Sequence, residues 1–213
     1  VQLRQQRRRQ GDRRGPGGAV GDTVDRAVFK LLRTQVDALL AGTQTMRIER
    51  YGPPIREPRL SDIRVAEGRA RQPLAVVISR SGEVPFEIPL FADAAVDVIL
   101  YVPASAAVPA CSAGVIRHEI PTGDGDLIAV MRSLRRDHGV RSLLCEGGPM
   151  LFNSLLAQGL VDELFLTLAP TLVGGAELGI TLGPAPAELQ PMRLTWALES
   201  AGSLFLRYRR PDN

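Results

Sequence analysis

Ser142-Leu143-Leu144-Cys145-Glu146-Gly147-Gly148-Pro149 joins an apolar run to a glycine turn and a proline, the pattern on which the fold of the chain rests. Ser142 to Cys145 is a short apolar run of the kind that forms a buried strand, and Gly147-Gly148 lets the chain turn tightly and lie close to a ligand. Pro149 suits a first helical position, because its missing N–H would have no partner inside the helix there. The helix then carries Leu151, Leu155 and Leu156 on one face and stops near Gly159, a residue favoured just past a helix end. Glu163 to Leu168 follows as a second apolar run, and Gly174-Gly175 as a second glycine turn. A strand, a glycine turn and a helix start present free N–H groups with a partial positive charge, which is a seat for phosphate. Close packing of strand on helix uses a diglycine too, so the turn alone leaves both readings open.

Working outward, the same alternation recurs. Asp22 or Thr23 can cap a helix with Val24, Ala27, Val28, Leu31 and Leu32 on its inward face, ending near Gln35. Val36 to Ala41 reads as a strand, Gly42-Thr43-Gln44-Thr45 as the turn into a short polar helix, and residues 52 to 73 as a long surface loop. Leu74 to Ile78, Val96 to Val102 and Gly114 to Ile120 read as strands; Asp124 or Asp126 starts a helix that closes at His138-Gly139. Leu194 to Ser200 and Ser203 to Arg209 form an antiparallel hairpin about Ala201-Gly202. The whole is an α/β fold: a mixed, mostly parallel sheet with helices on both faces and a C-terminal antiparallel hairpin.

The charge is unevenly placed. Residues 1 to 15 hold six arginines and one aspartate, +5 against a net +3 for the chain, which leaves −2 for the rest. The body is therefore not a basic nucleic-acid binder, and only the arginine-rich arm keeps an anion-binding tail in view. Hydrophobic residues make up 45% of the 213, with no apolar run of bilayer-spanning length. Two cysteines, Cys111 and Cys145, fit no metal or disulfide framework, and a reducing cytoplasm is the expected location. His118 and His138 stand apart in sequence, and no metal site is expected; Cys145 and both histidines are assigned to packing or surface, and Met131, Met150 and Trp196 to core or interface.

No hydrolase elbow, phosphate-binding Walker loop or Gly-x-Gly-x-x-Gly fingerprint is present. What remains are glycine turns and polar residues at the ends of parallel strands, where open α/β sheets bind ligands. These are Gly42 to Glu49, Ser79 to Ser81, Glu146 to Ser154 and Gly174-Gly175. A serine and an arginine together at Ser79-Arg80, just after a buried strand, can hold a phosphate.

Glu146-Gly147-Gly148-Pro149, Leu155-Leu156-Ala157-Gln158-Gly159-Leu160-Val161-Asp162-Glu163-Leu164, Ala169-Pro170 and Gly174-Gly175 resemble the bacterial riboflavin-biosynthesis pyrimidine reductase family, the reductase domain of the bifunctional deaminase-reductase. The resemblance covers about Gly21 to Tyr208. It implies a dihydrofolate-reductase-like fold, NADPH as cofactor and reduction of 5-amino-6-(5-phosphoribosylamino)uracil or a similar phosphorylated ribosylaminopyrimidine. It assigns Arg33, Pro53, Arg56 and Glu146 to substrate, with Arg33 and Arg56 on phosphate and Glu146 on the ring. It assigns Thr45, Glu49, Ser79, Arg80 and the run Gly148, Pro149, Met150, Leu151, Phe152, Asn153 and Ser154 to cofactor, and makes Glu49 the candidate for proton management. It implies a homodimer paired through the sheet and hairpin. No deaminase domain is expected before the reductase, because its zinc signature needs His and Cys residues this sequence lacks. Two other readings stay open: a pterin reductase acting on a compound such as dihydrofolate, and a non-catalytic NADP-binding dimer.

The sequence departs from the family at its start. Members open with an apolar strand and a Ser-x-Asp-Gly element, whereas residues 1 to 18 here are Arg-, Gln- and Gly-rich. An arginine-rich strand is costly to bury, so the first strand is expected to be absent or replaced. By composition the segment is a disordered arm. Its length fits and its chemistry does not, which reads as a shifted frame or misplaced gene start. The ratio of 25 arginines to one lysine fits GC-rich coding. Residues 1–20 are accordingly set apart from a reductase domain of residues 21–213.

Overall fold

The computed structural model describes residues 23–123, 125–171, 180–185 and 188–211, together with the backbone of residues 2 and 3. Five parallel strands form its centre: β2 (Ala38–Gly42), β3 (Leu74–Ile78), β4 (Asp97–Val102), β5 (Gly114–Glu119) and β6 (Leu143–Cys145). β1 (Gln2–Leu3) completes a six-stranded sheet of order β1-β6-β2-β3-β4-β5. β7 (Glu163–Leu168), β8 (Arg193–Ser200) and β9 (Ser203–Arg209) make a separate antiparallel sheet of order β7-β9-β8, and β7 runs beside β1. The α/β class and the terminal hairpin are as the sequence implies. The hairpin pairs with β7 rather than with the parallel strands. Its turn residues Ala201 and Gly202 have φ of 51° and 80°, the positive values that two-residue hairpin turns require.

The central strands are apolar throughout because both faces of the sheet are covered. On one face Leu40, Val76, Ile99 and Cys145 pack against α4 (Asp126–His138) and α5 (Pro149–Ala157), through Leu127, Val130, Leu134, Phe152 and Leu155. On the other, Ala41, Val77, Val98 and Leu100 pack against Met46 of α2 (Thr43–Glu49) and against Ile88, Leu90 and Phe91. Each such buried Val, Leu or Phe contributes about 1.5–3 kcal/mol.

Several expectations are corrected. Of the two expectations for the first strand, absent or replaced, the first is corrected: the backbone of Gln2 and Leu3 pairs with Leu144 and Cys145. Ladder hydrogen bonds are made by backbone groups and place no demand on apolar side chains. The rest of the arm, and Gly174-Gly175, lie outside the described residues. The stretch 52–73 is not all loop, since α3 (Pro58–Ala66) occupies its middle. α1 (Thr23–Thr34) does not bury its expected apolar face: Val24 is 37% and Leu31 51% exposed, while Asp25 and Thr34 are buried. The helix is rolled because Asp25 accepts a hydrogen bond from Thr167 of β7 at 2.9 Å. Met150, expected in core or interface, is 64% exposed and so does not belong to the core. His118 and His138, far apart in sequence, meet with their Nε2 atoms 2.8 Å apart.

Candidate active site

The carboxyl ends of β6, β2, β3, β4 and β5 share one edge of the sheet. β6 and β2 are neighbours there, so the two glycine turns touch: Gly42 N–H donates to the Gly147 carbonyl at 3.2 Å. Gly147 and Gly148 hold φ of 108° and 92°, conformations that L side chains rarely adopt. A Cβ on Gly148 would lie 3.4 Å from the Thr45 hydroxyl and 4.0 Å from Gly42 Cα. This closeness sets the start of α5 against the start of α2, with Thr45 between them.

The next residue back, Glu146, is anchored by its own N–H on the Leu40 carbonyl at 2.8 Å. Its carboxylate is 1% exposed and takes a two-point fork from Arg33, Nε to Oε1 at 2.6 Å and Nη2 to Oε2 at 2.7 Å. The Tyr51 hydroxyl donates to Oε2 at 2.8 Å, and Arg33 Nη1 donates to the Pro54 carbonyl at 2.8 Å. Burial disfavours the Arg33 cation, but the charge and hydrogen bonds of Glu146 outweigh it and the guanidinium pKa rises. Burial, with the Glu146 charge second, holds the Tyr51 phenol well above its ordinary value, so it remains a donor. Two residues expected on substrate thus hold each other.

Arg56 differs. It is exposed, lies against Gly52 with its guanidinium 2.7 Å from where a Cβ would stand, and makes no ion pair among the described residues. Pro53 sits in the same turn, half-buried, and Glu49 is near enough to Tyr51 to raise its pKa. Further along the edge, buried Ser79 is spent on the Glu83 carbonyl at 2.9 Å, while exposed Arg80 reaches Asp126 at 2.6 Å. Asp126 is fixed by Gln158 and by the Leu127 N–H. Partial burial raises its pKa, yet Gln158 and Arg80 outweigh that and bring it below the ordinary value. Arg80, Asp126, Gln158, Glu119 and Thr122 line an open cleft of about 960 Å³.

Within Gly148 to Ser154 the side chains divide. Phe152 belongs to the core and buried Asn153 donates to the Pro184 carbonyl at 3.1 Å, whereas Met150 is open to solvent. Leu151 is half-buried against the core, and the Ser154 hydroxyl is turned back onto the Met150 carbonyl at 3.1 Å. What this segment offers a ligand is chiefly the backbone N–H groups at the helix start, where Pro149 opens α5 and no side chain caps it.

Residues 6–200 match the model of the RibD C-terminal domain. The chain belongs to the RibD C-terminal domain family. Two relatives, from Archaeoglobus fulgidus and Methanothermobacter thermautotrophicus, are named 2,5-diamino-6-ribosylamino-4(3H)-pyrimidinone 5′-phosphate reductase. The first is 26% identical over 155 residues, covering 72% of this chain and 70% of the relative. The second is 30% identical over 148 residues, covering 68% of this chain and 65% of the relative. A crystal structure of a pyrimidine reductase-like protein from Corynebacterium diphtheriae shares the fold, with a TM-score of 0.74 at 24% identity over 92% of this chain and 84% of that one.

For this RibD-type domain, Tyr51 on Glu146 and Asp126 on Arg80 are partners of the expected site residues that the sequence does not announce. Tyr51 is a lone aromatic in a loop and carries no pattern; Asp126 is legible only as a helix start. No group of three metal-ligating side chains occurs among the described residues, and no described helix is long and apolar enough to cross a membrane.

Proposed function

We propose that this chain is an NADPH-dependent reductase of a phosphorylated ribosylaminopyrimidine, working in riboflavin biosynthesis in the cytoplasm. One observation carries the reading: residues that the family resemblance assigns to substrate and cofactor, from widely separated stretches, converge on the carboxyl edge of the parallel sheet. Arg33 lies on Glu146, Thr45 on Gly148, Arg56 against Gly52 in the loop after α2, and Arg80 over the cleft beyond β3.

The residues fit a dinucleotide. The start of α5, which no described side chain caps, and the close approach that Gly148 permits suit a pyrophosphate. Arg80 at the cleft rim supplies a cation for a 2′-phosphate, a charge that would favour NADPH over NADH. When bound, the reduced nicotinamide would supply the hydride taken by the ring-opened ribosylamino carbon. Arg56, with its fork uncommitted among the described residues, would take the substrate phosphate with Arg33 behind it. Glu146, an acceptor-only group when ionised, would take hydrogen bonds from the pyrimidine ring. Glu49 would hold or deliver the proton needed at the ribosylamino nitrogen. We also propose a homodimer, for which the three-stranded sheet leaves Leu168, Leu194 and Leu204 exposed on one face.

The test is NADPH oxidation by the purified chain with 2,5-diamino-6-ribosylamino-4(3H)-pyrimidinone 5′-phosphate and with 5-amino-6-(5-phosphoribosylamino)uracil. Turnover of either one supports the reading, and turnover of neither contradicts it.

A further inference from the structure

Resting on that reading, we infer that Tyr51 is the positioning residue that orients the Glu146 carboxylate and leaves a single acceptor site, on Oε1, to select a ring N–H of the substrate. An ionised carboxylate offers about four acceptor positions. Oε2 takes both the Tyr51 hydroxyl at 2.8 Å and Arg33 Nη2 at 2.7 Å, and Oε1 takes Arg33 Nε at 2.6 Å. Oε2 is therefore filled and Oε1 is half filled.

Tyr51 is built to hold this place. Arg50 caps α2 in the left-handed conformation, φ 46°, and turns the chain back so that Tyr51 N–H bonds the Met46 carbonyl at 3.1 Å. The Tyr51 carbonyl in turn accepts from Leu90 N–H at 2.9 Å. Backbone bonds on both sides fix the ring, and the Arg33 guanidinium lies 5.8 Å from its centroid. The phenol does not ionise near neutral pH, because burial and the adjacent carboxylate both oppose it. Arg33 is held by the Pro54 carbonyl as well as by Glu146, and among the described residues the Tyr51 hydroxyl bonds Glu146 alone. It is the donor that keeps the carboxylate from rotating when substrate arrives.

The test is calorimetric binding to the full chain with NADP⁺ present, which needs no turnover. The probes are 5-amino-6-(5-phosphoribosylamino)uracil and ribose 5-phosphate, which shares the phosphate and lacks the ring. Tyr51→Phe keeps the ring's packing; it is expected to weaken the aminouracil phosphate about tenfold, the loss of one hydrogen bond to a charged group. Ribose 5-phosphate and NADPH should bind as to the wild type. In a Glu146→Gln background Tyr51→Phe should add less than about twofold, since residues acting through one group are not additive. If Glu146→Gln does not fold, Glu146→Asp, which draws the carboxylate away from the phenol, replaces it in the cycle. Equal weakening of both probes, no weakening of the aminouracil phosphate, or additive effects with position 146 overturns the role of Tyr51 alone. Undiminished aminouracil binding by Glu146→Gln instead removes the substrate reading of Glu146, and the inference with it.

Discussion

Arg33 of α1 and Glu146 of the turn after β6, 113 residues apart in sequence, meet in a two-point fork with N···O distances of 2.6 and 2.7 Å. The guanidinium is 18% exposed and the carboxylate 1%, so the pair ties α1 to the end of the parallel sheet inside the protein. It also neutralises the carboxylate at the place where substrate is proposed to bind.

Removing one partner leaves a buried charge without compensation. Arg33→Met is expected to lower the unfolding free energy by about 3–5 kcal/mol in urea titration. Arg33→Lys is expected to recover only part, because an ammonium cannot make the planar fork.

Arg64 is a second internal cation, and it has carbonyls rather than a carboxylate for partners. Its guanidinium donates to the carbonyls of Arg33, Thr34 and Val36, at 3.2, 3.1 and 2.6 Å, and to that of Ala70 at 2.7 Å. It thereby satisfies the end of α1 and pins α3 to it. Arg64→Met is expected to cost about 2–4 kcal/mol, as buried carbonyls lose their donors. Hydrogen exchange across residues 58–66 is expected to speed up in the folded state.

Acid sensitivity is expected to run through Asp37, which ties the start of β2 to the start of β6. Partial burial pushes its pKa up. The N–H groups of Arg141 and Ser142, the Ser142 hydroxyl and Arg69 outweigh burial and bring it below the ordinary 3.8. The folded state thus favours the carboxylate: its stabilisation is present above the ordinary value and is lost as pH falls through the depressed one. Asp37→Asn should be less stable at neutral pH and lose less stability than wild type as pH falls from 3.8 downward, read by urea titrations at each pH.

At the glycine turn, Gly148→Ala places a Cβ at φ 92°, 3.4 Å from the Thr45 hydroxyl. The strain is about 1–3 kcal/mol. NADPH affinity, read by quenching of Trp196 or by calorimetry, is expected to fall more than tenfold, because the two turns are pushed apart where the pyrophosphate is proposed to sit.

The elements legible in the sequence are those whose side chains alone set their place. Leu74–Ile78 and Glu163–Leu168 are read to the residue, since a continuous apolar run bounded by turn residues has few alternatives. α3 is hidden because its apolar residues share no face: Val65 is 48% exposed while Arg64 is buried, and carbonyl contacts of Arg64 hold the helix. The inward face of α1 is misread for a related reason, a polar contact from Asp25 to Thr167 that overrides the apolar stripe. Pairings across long separations, Arg33 with Glu146 or His118 with His138, have no local signal at all. Tyr51 is found only once the fold has brought it to Glu146.

The most direct test of the central claim is NADPH oxidation by the full chain with each of the two ribosylaminopyrimidine phosphates and, in parallel, with dihydrofolate. Oxidation is expected with at least one of the pyrimidine phosphates and none with dihydrofolate. Oxidation with dihydrofolate alone, or tight NADPH binding with no oxidation by any of the three, would contradict it.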